Sequence, residues 1–542
     1  VRGALLVAGT HSDAGKSVVV AGICRWLRRE GVRVAPFKAQ NMALNSFVTR
    51  EGAEIGRAQA AQAAAARIEP EAAMNPVLLK PSAERETQVI LRGKPYATAT
   101  AKSYGAMKQE LLPVVLDSLS DLRRRFDVVV CEGAGSPAEI NLRKNDIANM
   151  GLARAARLPV VVVGDIDRGG LFASLYGTLA LLSPEDQALV GGFLVNKFRG
   201  DPAVLEPGLR QMSGMTGRPF LGTLPHARGL SLLDGEDSLA LDSPRPARPP
   251  LGGDVLRVAV VRLGRISNFT DLDPLAHEPG VAVRFTLSPE EVLEADLAVL
   301  PGTKATVDDL AALRASGLDR AILERSRRGL PTLGICGGYQ MMGRRIVDGV
   351  ESRKGEVSGL GLLPVETAFE EEKILGRPEG RASLFGAEPV SGYEIRHGRV
   401  RRSGGEPVFA TEGLDEGCAV GETFGTSWHG VFESDAFRRA FLRRVAGVRG
   451  LDWRPGDEAF AAAREAQLDR LGDLVAESVD REGLLRLVED GAPAALPVVG
   501  SWLSNGDGRA PLGSAWNGHD APDDTEKHTR PAEDEMKLKA EG

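Results

Sequence analysis

Nine residues near the start of the chain, Gly9-Thr10-His11-Ser12-Asp13-Ala14-Gly15-Lys16-Ser17, stand between an apolar run and an amphipathic stretch. That context calls for a strand that ends, a turn that exposes backbone N–H groups, and a helix whose N-terminus faces the same point, which is how a phosphate-binding loop is built. In such a loop Lys16 neutralises phosphate oxygens, Ser17 holds magnesium, and Gly9, Thr10, Asp13 and Gly15 shape the nucleotide cradle. The first glycine lies six rather than the usual five positions before Gly15, so the loop is a lengthened one.

The strand-then-helix pattern repeats. Ala4 to Ala8, Arg33 to Phe37, Asp127 to Cys131, Pro159 to Val163 and Gly192 to Val195 are short apolar or β-branched runs. Between the first two, Val18 to Arg29 sets Val19, Val20, Ile23 and Leu27 on one helical face and arginines on the other, and after the second, Ala58 to Arg67 is alanine-rich. Alternation of this kind predicts an α/β fold with a doubly wound parallel sheet. The Asp127 to Cys131 run leads into Glu132, and an acid at the carboxyl end of a strand beside a phosphate loop is placed to bind magnesium directly or through water. Its alternative role is a turn carboxylate that caps the next element. Asn196-Lys197 is a candidate contact to the nucleotide, with a surface turn as the alternative.

Residues 242 to 253 hold four prolines and two glycines and read as a linker between a first domain, 1 to 241, and a second, 254 to 450. The second domain repeats the α/β pattern, with strands at Leu256 to Arg262, Ala282 to Thr286, Leu297 to Pro301 and Pro331 to Cys336. Residues 451 to 490 read as a helical extension. From 491 to 542 aliphatic clusters vanish, which predicts a disordered tail.

Composition narrows the function. The chain of 542 residues has 43% hydrophobic and 26% charged residues and a formal net charge of -7, so it lacks the basic footprint of a nucleic-acid binder. No apolar run approaches the roughly 20 residues of a membrane helix, and no secretory leader is recognised. Four cysteines without a C-x-x-C pair fit a reducing cytoplasm.

One of those cysteines is different. Gly334-Ile335-Cys336-Gly337-Gly338-Tyr339-Gln340 joins an apolar run to a helical pattern, the form of a nucleophile elbow in which a sharp turn exposes the sulfur at a helix N-terminus. A base is required, and His429, about 90 residues downstream beside Trp428, is the best of the seven histidines. Pro301-Gly302-Thr303 can offer backbone N–H groups to an oxyanion, with Gly337.

Longer motifs carry a resemblance. Pro36-Phe37-Lys38-Ala39-Gln40-Asn41-Met42-Ala43-Leu44-Asn45-Ser46, the stretch from Met74 to Pro81, Gly164 to Gly170, Asn196 to Asp201 and Tyr393 to Arg399 together resemble the cobyric acid synthases, over residues 1 to about 490. The resemblance implies a P-loop amide synthetase domain similar to dethiobiotin synthetase, followed by a class I glutamine amidotransferase α/β domain. It implies ATP and Mg2+ as cofactors and glutamine as nitrogen donor. The corrinoid substrate it implies is adenosylcobyrinic acid a,c-diamide, amidated at the b, d, e and g carboxylates through acyl phosphates. Cys336 and His429 would be catalytic, Tyr339 and Gln340 would line the glutamine pocket, and Lys38, Gln40, Asn41 and Asp146 would contact the corrinoid substrate or its carboxylate. Asp146 has a helix N-cap as its alternative. The expected protein is cytoplasmic, with no nucleic-acid or membrane partner and a homodimer as a possible assembly. Many class I amidotransferases carry a glutamate two residues after the histidine. Here Val431 stands there and Glu433 is not spaced to replace it, so the expectation is a Cys336–His429 dyad. Cobyrinic acid a,c-diamide synthase is the nearest alternative. A MinD- or ParA-like ATPase would explain the first loop and nothing in the second domain.

Overall fold

A computed structural model describes residues 1–82, 86–226 and 247–500. Six strands of the first half form one parallel sheet in the spatial order Phe220–Pro225, Val190–Phe198, Val160–Asp165, Gly3–Gly9, Val128–Glu132, Val34–Phe37. The Gly3–Gly9 strand sits centrally because its residues Leu5 to Ala8 are fully buried on both faces, the pattern of a sheet covered by helices on two sides. Chain order reverses around this strand, and in open α/β sheets such a switch point opens a crevice at the carboxyl ends of the strands. The Gly9–Ser17 loop lies there. Register sets Val7 opposite Glu132 and Gly9 opposite Val163, so the loop is flanked by the ends of two neighbours.

The second half builds another six-stranded sheet, in the order Val281–Thr286, Leu256–Val261, Leu297–Leu300, Thr332–Ile335, Thr423–Thr426, Cys418–Val420, parallel except for the last. The α/β fold class with a doubly wound first sheet is therefore observed. Sequence periodicity missed much of the remainder. Between residues 345 and 410 lie two antiparallel-rich sheets, including the long strands Val365–Gly376 and Glu394–Arg402. Their burial alternates, with Val365 and Thr367 inside and Glu366 and Ala368 exposed, and one-sided ribbons of this kind lack the continuous apolar runs that betray a parallel strand. A four-stranded sheet, Gln40–Met42, Val77–Pro81, Thr87–Leu91 and Lys94–Ala99, was also not read from the sequence; its strands are short and do not alternate in burial.

The C-terminal helices return to the first half. Helix Phe460–Ser478 packs along helix Lys16–Arg29, and helix Arg481–Asp490 lies against the Gly3–Gly9 strand. Leu471, Val475, Leu484 and Leu487 join Val19, Ile23 and Leu194 in one buried cluster. Each such side chain, fully buried, stabilises by about 1.5–3 kcal/mol. Arg25, fully buried, meets Glu465 and Asp469 of the returning helix. The chain stays anchored beyond Gly491: the amide of Val499 donates to Gln187 Oε1 at 2.9 Å, and Gln187 Nε2 donates back to the Val499 carbonyl at 2.9 Å. This corrects the composition-based start of the tail at 491; residues 501–542 lie outside the described residues, as do linker residues 242–246. Linker residues 247–253 are tied to the second half, with Gly253 N donating to Asp452 Oδ2 at 3.1 Å.

Candidate active sites

Two strand–turn–helix junctions hold the candidate chemistry. At the first, Gly15 takes a φ of 90°, and a Cβ there would sit 2.0 Å from Asn196 Nδ2, so the loop tolerates only glycine. Asn196 donates to the Ala14 carbonyl at 2.9 Å, and Lys197 Nζ donates to the Asp13 carbonyl and to Asp165 Oδ2, both at 2.7 Å. This pair therefore braces the phosphate loop from the next strand but one. Lys16 Nζ donates to the His11 carbonyl at 3.0 Å, curled over the loop. Thr10 N is bonded to the Val163 carbonyl, while Thr10 Oγ1 is buried with no protein partner.

Glu132, fully buried, is the centre of this site. Its Oε1 accepts from Ser17 Oγ at 2.8 Å and from Lys38 Nζ at 2.9 Å, and its Oε2 accepts from Gln62 Nε2 at 2.5 Å. Burial alone would raise its pKa; the Lys38 charge and hydrogen bond, then Gln62 and Lys16, reverse this and hold the carboxyl below its ordinary value. A serine hydroxyl and an ionised carboxylate beside a phosphate loop form a hard-oxygen donor set, which suits a divalent cation that takes its other ligands from phosphate and water. Among the described residues no group of three or more His, Cys, Asp or Glu side chains forms a self-sufficient metal cage.

The other first-half candidates separate. Lys38 is in the site. Asn41 Nδ2 donates to Gln59 Oε1 at 2.8 Å, and Gln40 Oε1 accepts from Tyr104 at 2.7 Å; neither bonds to Glu132. Asp146 spends its carboxylate on backbone: Oδ1 accepts from Ala148 N and Asn149 N, each at 2.9 Å, and Oδ2 from Gly151 N at 2.8 Å. It ties the loop to the start of helix Met150–Ala156 from outside the N-cap position, which Asn149 occupies without a side-chain cap bond.

At the second junction Cys336 has φ 48° and ψ −106°, a backbone strain that holds a non-glycine side chain at the turn between strand Thr332–Ile335 and helix Gly337–Met342. Gly338 makes the turn possible, since a Cβ there would lie 2.0 Å from the Leu300 carbonyl oxygen. Cys336, Gln340, Thr303, His397 and, from the first half, Lys80 line a narrow cavity of about 30 Å³. Gln340 Oε1 accepts from Thr306 at 3.1 Å. Gly302 borders the histidine, its Cα hydrogen aimed towards His429 Cε1, and Gly337 packs against Thr303. The Tyr339 ring packs against Gly425, outside the narrow Cys336 cavity, and borders a larger open cavity shared with Glu394, Arg396 and Trp428; burial pushes its hydroxyl pKa up.

The expected dyad is also corrected. His429 Nδ1 shares a 2.7 Å hydrogen bond with Asp271 Oδ2, and Asp271 Oδ1 accepts from Gly430 N at 2.8 Å; both side chains are buried. Burial opposes the charged imidazole, yet Asp271 and Cys336, which lies within hydrogen-bonding reach, raise the His429 pKa to about 10. Asp271 thus orients the histidine, as the acid of a nucleophile–base–acid triad does. It lies 158 residues before its partner, on a short helical turn, Phe269–Leu272, and no local motif marks it. Glu433 instead pairs with Arg57 and Arg464.

Family models agree with the two junctions. Residues 5–239 match the CobQ/CobB/MinD/ParA nucleotide binding domain, and residues 257–437 match the CobB/CobQ-like glutamine amidotransferase domain. Among curated proteins, the chain is 59% identical to a cobyric acid synthase of Streptomyces coelicolor, over 92% of this chain and 99% of the relative. It is 58% identical to one of Frankia casuarinae, with the same coverage, and 56% identical to one of Mycolicibacterium paratuberculosis, over 91% of this chain and 98% of the relative. With identity at this level along nearly the full length of those relatives, the chain belongs to the cobyric acid synthase family.

Proposed function

We propose that this chain is a glutamine-hydrolysing ligase that uses ATP to convert carboxylates of a corrinoid into primary amides during cobalamin synthesis. The observation that carries this reading is the presence, in one chain of this family, of a phosphate loop closed on Glu132 and a Cys336–His429–Asp271 constellation. Neither alone is a ligase.

In the second half Cys336 Sγ attacks the glutamine side-chain carbonyl. The tetrahedral oxyanion is met by backbone N–H groups at the Gly302 and Gly337 turns, and His429, held by Asp271, protonates the departing ammonia. Water then hydrolyses the thioester to glutamate. In the first half a corrinoid carboxylate oxygen attacks the γ-phosphorus of ATP and ADP leaves. Ammonia then displaces phosphate from the acyl phosphate, which closes the amide. Lys16 stabilises the transferring phosphoryl group. Magnesium, held by Ser17 and Glu132 with the phosphates, would neutralise the triphosphate when bound. Lys38 keeps Glu132 ionised for that role.

The proposed substrate is adenosylcobyrinic acid a,c-diamide, amidated at the b, d, e and g carboxylates. Mass spectrometry after incubation with magnesium-ATP, glutamine and either cobyrinic acid or its a,c-diamide tests it, because each amidation lowers the mass by about one unit. Progressive loss from the a,c-diamide supports the reading. Turnover of cobyrinic acid only, stopping at the a,c-diamide, would replace it with the a,c-diamide synthase reading.

A further inference from the structure

The side chain that packs behind the catalytic histidine is braced from the synthetase half. Tyr393 stacks on His429 with ring centroids 5.3 Å apart and planes 23° from parallel, and the two residues exchange backbone hydrogen bonds of 2.9 and 3.0 Å. The histidine ring is therefore fixed by Asp271 through its Nδ1 and by an aromatic face. The hydroxyl of Tyr393 in turn accepts from Arg57 Nη1 at 3.2 Å, and Arg57 Nη2 pairs with Glu433 Oε1 at 2.5 Å, four residues after the histidine. The Arg57 guanidinium also lies 5.7 Å from the Tyr393 ring centre. Arg57 is buried, and a buried guanidinium that spans a tyrosine hydroxyl and a carboxylate fixes both in direction.

Arg57 opens the helix Arg57–Ala65, and the same helix carries Gln59, bonded to Asn41, and Gln62, bonded to Glu132. Gln62 lies five positions after Arg57, about 7.5 Å along a helix axis. A second contact runs beside it: Ser46 N donates to Asn268 Oδ1 at 2.8 Å and Phe269 N donates to Asn45 Oδ1 at 3.3 Å, two residues before Asp271. Both groups that orient His429 are thus held by segments of the half that contains the phosphate loop.

We propose that Arg57 is a positioning residue for glutamine hydrolysis, contributed by the synthetase half, which holds Tyr393 and the Gly430–Glu433 turn so that His429 stays aligned with Cys336. The proposal rests on the assignment of glutamine hydrolysis to Cys336 and His429. It places the glutaminase under the control of the interface: the base is aligned only while helix Arg57–Ala65 is seated, and the seat of that helix includes Glu132.

The test uses the full chain carrying Arg57→Ala or Arg57→Lys. Glutaminase kcat and KM and ammonia-dependent amidation are measured, and the rate of Cys336 alkylation by iodoacetamide is followed against pH by peptide mass. For Arg57→Ala the expected result is a fall of about tenfold or more in glutaminase kcat, with the glutamine KM and ammonia-dependent amidation each within about twofold of the parent, because a misaligned base slows a step without weakening binding. The alkylation profile shifts along the pH axis, since the histidine no longer keeps its place beside the sulfur. Arg57→Lys, which keeps a cation at Glu433, recovers part of the rate. An unchanged kcat with an unchanged alkylation profile overturns the proposal. So does a parallel loss of both nitrogen sources with a lowered melting temperature, which would make Arg57 an assembly residue alone. Cys336→Ala separates the two levels: full glutaminase activity in that variant would defeat the assignment of the thiol, whatever Arg57 does.

Discussion

The two junctions share one backbone device and fill it with opposite chemistry. Each ends a parallel strand in a turn that feeds a helix N-terminus, at Gly9–Ser17 and at Ile335–Gly337. The first turn is long, with Asp13 as well as Gly15 at positive φ, and cations crowd it: Lys16, Lys38 and Lys197 surround the acids Glu132 and Asp165. The second is short and strained, and it presents a single sulfur to a histidine with one acid behind it. A loop that must wrap a triphosphate needs many N–H donors and mobile charge, whereas a nucleophile needs one atom held in one place. The difference teaches that the length of the turn follows from the size of the group it serves.

Substitutions at the two junctions break this comparison in different ways. The largest effect is expected from Cys336→Ala, which should lower glutamine-dependent amidation by at least about 10⁴-fold and leave ammonia-dependent amidation near the parent rate, because only the nitrogen source is lost. If both activities vanish together, the two junctions do not work independently. Next, Lys16→Ala should cut amidation from either nitrogen source by about 10³-fold, since phosphoryl transfer loses its main counter-charge. Separate measurement of glutamine hydrolysis in this variant shows whether Cys336 still works.

Asp271→Asn sharpens the second junction. A fall of about a hundredfold in glutaminase kcat is expected, because the amide holds the imidazole less firmly and does not stabilise its charged form. The pH dependence has a definite sign. The folded-state pKa of His429 lies at about 10, above the ordinary 6.5, so the stabilisation that accompanies its protonation is complete below about pH 6.5 and lost as pH rises through about 10. Urea unfolding of parent and variant should therefore differ most below pH 6.5 and converge above pH 10; a constant gap across that range would deny the histidine its charged partner. The smallest effect belongs to Asp146→Asn. The amide keeps one acceptor oxygen against three backbone donors, so about 1 kcal/mol of stability should be lost, read as a lower melting temperature. A loss of ammonia-dependent amidation at full stability would instead return Asp146 to the substrate carboxylate.

Much of both sites was legible because their parts are contiguous. Gly15, Lys16 and Ser17 sit in one loop, and Gly334 to Gln340 in one turn, so spacing alone states the local geometry. Glu132 was readable from its place at the end of an apolar strand. Asp271 was not, since no periodicity or motif connects it to His429; only the docking of the Phe269–Leu272 turn against Gly430 brings them together.

Local pattern, then, determined the elements that satisfy themselves locally: buried parallel strands with continuous apolar runs, the helices between them, and the turns whose glycines admit a ligand or a sulfur. Tertiary structure alone decided what depends on remote pairing. The one-sided ribbons between 345 and 410 exist because a partner strand completes their hydrogen bonds, and the C-terminal helices belong to the first sheet because its outer face needs Leu471 and Leu484 for cover. The base of the thiol acquires its acid from 158 residues upstream and its aromatic support from a loop held by Arg57. A chain encodes such pairings only through the energy of the whole packed core, in which no single segment carries the signal.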